Sequence, residues 1–261
     1  MRAVATREAV IGELLTSLPP GPVGRYDSAT RFDVDISGQL ASVLEAQLLS
    51  GRNVAAVQND DGGWEVLQFL SAELIAPNVY ELSVFLRGQA GTESEMFAGT
   101  SSGASFVLLD SAITGVNLTA DELRLPLNWR YGPAGRDIGD ASYVDDTHAF
   151  QGIGLRPFSP VHVQADRSGG DIDLSWVRRT RVSGDSWETV EVPLGEEREQ
   201  YEVEVLNLGQ PVRTLTTVEP SVSYSAAEQI EDFGAVQSSV SIRVYQVSST
   251  WGRGVPVSVT L

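Results

Sequence analysis

Apolar and polar residues alternate one by one along most of this chain. That period of two commits it to strands, because successive side chains of an extended backbone point to opposite faces. Phe32, Val34 and Ile36 point one way while Asp33 and Asp35 point the other. The same alternation predicts strands at 53–58, 64–69, 79–87, 105–110 and 122–130, separated by turn residues such as Asp61-Gly62-Gly63. In the last of these, Leu123, Leu125, Leu127 and Trp129 form one stripe. Pro126 on the opposite face removes a ladder donor, which puts that strand at an edge or a bulge. Two segments repeat at helical spacing instead. Val10, Ile11, Leu14, Leu15 and Leu18 predict a short amphipathic N-terminal helix stopped by Pro19-Pro20-Gly21, and Leu40, Val43, Leu44 and Leu48 predict a second over 40–49, ended by Gly51.

Gly152, Gly154, Pro157 and Pro160 mark a change of register. They divide the chain into a β-rich domain over 1–159, carrying the two helices, and a second domain over 160–261. Strands in the second are predicted at 161–165, 171–176, 187–192, 201–206, 211–216, 221–224, 239–247 and 255–261, a density that indicates a β-sandwich. Ser225 and Glu228 form a capping box for a helical turn that Gly234 ends. The fold class is therefore mainly β: an irregular β-rich domain followed by a sandwich. The Trp176 strand, the Tyr201-Val203-Val205 strand and the Tyr245 strand running into Ser248 to Gly254 resemble a fibronectin type III domain.

Composition removes several function classes. Thirty-five acidic against 18 basic residues leave a net charge of -17, a field that repels phosphate backbones and argues against a nucleic-acid partner. All 18 basic residues are arginine, so lysine Schiff-base chemistry and the P-loop lysine are excluded. No cysteine is present, which removes disulfides, thiol nucleophiles and cysteine metal sites, and only His148 and His162 remain as imidazole ligands. Arg2, Arg7, Glu8 and Glu13 make the first segment too polar for the apolar core of a signal peptide. No apolar run approaches the roughly 20 residues of a membrane-spanning helix.

Five motifs carry candidate chemistry. Gly99-Thr100-Ser101-Ser102-Gly103 matches the G-x-S-x-G elbow, with Asp145 and His148 following in hydrolase order. The elbow needs a strand before the serine and a helix after it, whereas here a strand follows a Gly/Ser/Thr loop, so no catalytic residue is assigned. Within a long polar loop over 132–147, Asp137, Asp140, Asp145 and Asp146 supply oxygens that could hold Ca²⁺, the alternative being a solvated acidic loop. Asp171 with Asp173 and Glu202 with Glu204 are alternate residues on outer strand faces, which accounts for them without paired-carboxylate catalysis. Tyr131, Tyr143 and Trp251 stand at or near loops, where aromatic rings offer a stacking surface to a sugar or a partner protein; Trp129 is expected to pack in a core. Asn117-Leu118-Thr119 is a glycosylation sequon by pattern.

A family resemblance adds what spacing does not. Trp64-Glu-Val-Leu-Gln-Phe69, Tyr80-Glu-Leu-Ser83 and the run from Leu86 to Glu93 resemble the tail-tip baseplate (host-specificity) protein of gene transfer agents and related siphophages. Phe106 to Asp110, Gly154 to His162, Trp176 to Arg181, Asp185-Ser-Trp187 and Val192 to Glu196 are similar to that family's C-terminal region in the same order. Members are longer, with a glycoside-hydrolase-like barrel and hub domains upstream, so the resemblance implies the C-terminal part or a shortened relative. It further implies a virion component made in the bacterial cytoplasm, trimeric in the particle and not an enzyme. Its partners would be tail-tip, hub or fibre proteins and a cell-surface glycan or receptor. Structural assembly, glycan or receptor binding with calcium, and cell-envelope hydrolysis stand as the alternatives.

Overall fold

The computed structural model describes residues 3–182, 184 and 192–261. The chain forms two compact units, Met1–Gly152 and Ile153–Leu261. The division thus falls inside the Gly/Pro segment, after Gly152, instead of at 159/160. Its later part packs inside the second unit, where Pro157 O accepts from Val255 N at 3.3 Å and Gly254 sits so close that an added Cβ would lie 2.5 Å from Pro157 O.

The first unit is built on a closed six-stranded antiparallel barrel. Its strands are β1 (Ile11–Leu14), β2 (Asp27–Ser37), β3 (Val54–Gln58), β4 (Trp64–Ala76), β5 (Val79–Gln89) and β6 (Ser105–Leu108), in the spatial order β1-β2-β5-β4-β3-β6 with β6 returning to β1. Phe32, Val34 and Ile36 of β2 turn inward as their alternation requires, joining Leu67, Phe69, Leu82, Phe85 and Phe106 in a filled interior. Phe32 stacks on Phe85 with ring centroids 5.2 Å apart.

The N-terminal helix is not formed; β1 occupies its place. A barrel of five strands would leave β2 and β6 with open edges, and pairing Ile11–Leu14 between them closes the ladder. Gly12 permits the close approach, since a Cβ there would fall 2.0 Å from Asp35 O. The second helix is shorter than its pattern. Residues 40–44 run extended beside β4, with Val43 N on Leu70 O, and only Glu45–Leu49 is helical (α1). A further helix, α2 (Glu93–Phe97), follows β5.

Outside the barrel, residues 122–130 are not one strand. A 3-10 turn at Ala120–Glu122 and a left-handed Arg124 (φ 64°) precede Pro126, and β7 (Leu127–Tyr131) starts after it. The long loop is correspondingly shorter: Val144–His148 is a strand, β8, paired with β7 in a separate two-stranded hairpin.

The second unit is a sandwich. One sheet holds β9 (Val161–Ser168), β10 (Asp171–Val177) and β13 (Ser221–Tyr224) in the order β13-β10-β9. The other holds β11 (Tyr201–Asn207), β12 (Gln210–Thr217), β14 (Ser241–Ser248), β15 (Gly252–Arg253) and β16 (Val257–Thr260), with β14 paired to β11, β15 and β16. This is the β-sandwich expected from the sequence. Its core takes Ile172, Leu174 and Trp176 from β10, Tyr201, Val203 and Val205 from β11, and Ile242 and Val244 from β14. Trp176 meets Tyr201 edge to face at 5.2 Å. Helix α3 (Ala226–Phe233) is capped by Ser225 and ended by a left-handed Gly234 (φ 79°), as the sequence predicts. The expected strand at 187–192 falls, but for Val192, outside the described residues.

Candidate functional site

The β7–β8 hairpin gathers most of the candidate residues. Leu127, Trp129 and Tyr131 of β7 share a face with His148, Asp146 and Val144, their direct partners in β8. Trp129 packs edge to face on Phe150 at 5.4 Å and donates its indole N–H to His148 O at 3.3 Å; His148 in turn lies 4.5 Å from the Phe150 ring. Trp129 is therefore half-buried in a local aromatic cluster, not in the barrel core. Tyr131 is 57% exposed. Tyr143 is engaged within the loop: its ring covers Gly132, where a Cβ would clash at 2.6 Å, and its hydroxyl donates to Pro133 O at 3.1 Å.

The four aspartates have separate partners. Asp137 accepts from Gly139 N and Asp146 from Thr147 N, both at 2.8 Å, while Asp145 lies 3.5 Å from Arg130. Asp140 accepts from both the amide and the hydroxyl of Ser142, which hold its carboxyl below its ordinary value. Among the described residues no three His, Asp or Glu side chains converge as metal ligands. Asp137, Asp140 and Asp146 each accept from an amide within two residues, so these carboxylates are engaged locally. A shallow groove of about 330 Å³ does lie on the hairpin, lined by Asn128, Trp129, Asp145, Asp146 and Thr147.

Trp251 belongs to the second unit, on the tight turn between β14 and β15. One carboxylate organises that turn: Glu197 accepts from Ser248 Oγ at 3.2 Å, from Ser249 N at 3.1 Å and from the Thr250 hydroxyl. The Thr250 bond first, with the Ser249 and Ser248 donors after it, lowers the Glu197 carboxyl to about 2. Ser248 Oγ also accepts from Trp251 N at 3.3 Å. Trp251 is half-exposed on a turn already fixed in shape, and it shares no unit with Tyr131 and Tyr143.

The serine motif has no hydrolase geometry. Ser101 lies in the loop between α2 and β6, with its amide and hydroxyl both donating to Asp60 at 2.8 Å. A carboxylate without an imidazole between it and the hydroxyl does not make a triad. Glu202 and Glu204 lie on the sandwich's outer face as alternation requires, yet Glu204 is buried there under Arg253 (2.6 Å), Tyr245 (3.1 Å) and Arg243 (3.6 Å). Burial acts to raise its carboxyl, and these donors hold it below its ordinary value.

Two features escaped the motif search. Within the barrel, Arg87 is 1% exposed and forms a bidentate pair with Glu65 (2.7 and 2.8 Å), with Asp27 at 3.5 Å. Burial pushes the Asp27 carboxyl up, but donors from Thr30 and Ala29 and the Arg87 charge bring it below its ordinary value. The period of two marked this group: Glu65 shares parity with Leu67 and Phe69, and Arg87 with Phe85. The second feature is the groove beside Trp129. The approach of Asp146 depends on β8, whose Val-Asp-Asp-Thr-His sequence carries little strand propensity.

Residues 9–107 match the family model described as Rcc01698-like, C-terminal, which carries the name of a gene-transfer-agent-associated protein. The matched span begins just before β1 and ends within β6, so it coincides with the barrel. No curated protein matches the chain. Among solved structures, the rat CD45 extracellular region, domains d3-d4, is similar over 59% of this chain and 71% of that one, at 13% identity and a TM-score of 0.30.

Proposed function

We propose that the chain is a structural component of a phage-like tail tip of the gene-transfer-agent kind, acting in tail assembly and contact with the recipient cell and not in turnover. The observation that carries this reading is the coincidence of the family match with the whole barrel, supported by the ordered tail-tip motifs that run on into the second unit. A barrel whose strand edges are all paired and whose interior is filled suits a building block. The paired Ser101 and Glu204 side chains support a non-catalytic role, since each is engaged by its neighbours. In this reading the partners are hub, fibre or other tail-tip proteins, the assembled form is a trimer, and the chain resides in the particle.

Deletion of the coding segment from a particle-producing strain tests this. The expected result is loss of complete tails by electron microscopy and of transfer activity. Normal tails with normal transfer would sink the proposal.

A second reading, recognition of a glycan or receptor, is favoured by the Trp251 turn. Glu197 fixes that turn in advance, which lowers the ordering cost of binding. Binding of the purified chain to extracted surface polysaccharide, lost in Trp251→Ala and kept in Tyr143→Ala, is the expected outcome. Unchanged binding by Trp251→Ala would remove this turn from recognition.

A further inference from the structure

The inward face of β14 changes character along the strand. Ile242 and Val244 are apolar, whereas Gln246 and Ser248, which follow on the same face, are polar and also buried. Ser248 is answered by the turn beyond it, through Glu197 and the amides of Thr250 and Trp251. Gln246 is not. It is 1% exposed, and neither its amide oxygen nor its amide nitrogen has a hydrogen-bond partner in the protein. In the ladder it stands opposite Tyr201, whose ring meets Trp176 of the other sheet edge to face. The Trp176 indole N–H is buried as well and makes no hydrogen bond. Around one tyrosine, then, the core holds an unanswered acceptor, Gln246 Oε1, and two unanswered donors, Gln246 Nε2 and Trp176 Nε1.

We propose that Gln246 and Trp176 bind an internal water molecule that is a fixed part of the sandwich. A buried amide without partners is costly, and buried polar groups in folded proteins are satisfied either by the protein or by ordered water. Water suits these atoms because it accepts from the amide and indole N–H groups while donating to the amide oxygen, and internal waters make about three such bonds. An anion would match the two donors, but it would face the amide oxygen and a chain whose net charge is -17. A metal cation would find one neutral oxygen here and two N–H groups pointing the wrong way, as donors.

The test uses the isotope-labelled full chain and reads magnetisation transfer from the water resonance by NMR. Cross-peaks to the Gln246 side-chain amide protons and to the Trp176 indole proton are expected in both NOESY and ROESY spectra. Their signs should be opposite in the two, which marks a water held longer than the protein tumbles and separates it from proton exchange. Tyr201→Phe removes the neighbouring hydroxyl and should keep the peaks. Gln246→Met keeps the length of the side chain without its amide, and the Trp176 peak should then be lost.

Absence of cross-peaks in the unsubstituted chain would overturn the site, as would their loss in Tyr201→Phe, which would trace the signal to the phenol. A Trp176 peak undiminished in Gln246→Met would take Gln246 out of it. Displacement of the peaks by added sodium bromide would give the site to an anion instead. If Gln246→Met does not fold, the peaks at the Gln246 amide of the unsubstituted chain decide the matter alone.

Discussion

Arg87 in the barrel and Arg213 in the sandwich each gather several carboxylates, in opposite surroundings. Arg87 is buried with Glu65 and Asp27. Arg213, on β12, is 22% exposed and reaches across to Asp232 (2.6 Å), Glu231 (2.7 Å) and Glu228 (3.5 Å) of α3, where the Tyr224 hydroxyl also donates to Asp232. The first network stands where water cannot replace a lost partner, and the second stands where it can. Similar ionic chemistry should therefore carry very different energetic weight in the two units.

The largest effect is expected from Arg87→Met, which leaves two carboxylates buried without their cation and should destabilise the first unit by about 3–5 kcal/mol. Urea unfolding followed by hydrogen exchange should show the barrel amides losing protection while those of β10, β11 and β14 keep theirs. Restoration of stability by the double change Glu65→Leu with Arg87→Met would place the cost in the stranded charge, not in lost packing.

Acid provides a graded form of the same experiment. Asp27 titrates below its ordinary 3.8 in the folded barrel, so its contribution is fully present above that pH and is lost as pH falls through the lower folded value. Glu197 behaves likewise at the Trp251 turn, its contribution fading between its ordinary 4.5 and about 2. NMR titration should find the Trp251 indole resonance steady down to about pH 4 and moving below it. Movement centred at or above the ordinary glutamate value would contradict the hydrogen bonds assigned to Glu197.

Arg213→Ala should cost about 1–2 kcal/mol, and Ser225→Ala, which removes the cap of α3, about 1 kcal/mol. Thermal melts of the second unit's signal would check both; a loss from Arg213→Ala equal to that from Arg87→Met would erase the contrast between the networks. The smallest change should be a gain. Leu208 sits at φ 49° before Gly209 in the β11–β12 turn, 98% exposed, where asparagine is favoured, so Leu208→Asn should add about 0.5 kcal/mol.

Much of the fold was legible because its signals are local. The stripes of β2, β10 and β14 name their own inward faces, and Ser225, Glu228 and Gly234 fix both ends of α3. The failures came where closure overrode spacing. Val10 to Leu18 has helical periodicity, yet Leu14 reaches the core from a strand and Leu18 from an antiparallel bridge with Thr100, and Ile11 remains 52% exposed. Gly12, a poor helix former, was the available warning. At the candidate site, the sequence reading placed the aspartates in one long loop and the tyrosines at or near it, and pairing of β7 with β8 turns much of that loop into a hairpin. Which oxygens face a groove and which close a turn depends on β8, and only pairing with β7 makes that segment a strand.

Arg124 N donates to Phe150 O at 2.8 Å, and Leu123 lies against Gly152, so the chain leaves for the hairpin and returns at one place. Everything between those two points is an excursion with a common doorstep. Lineages of this protein can therefore lengthen, shorten or exchange the excursion without rewriting either core, much as a tool head is changed on a fixed handle. Specificity for a new neighbour is then open to inheritance as a single short cassette.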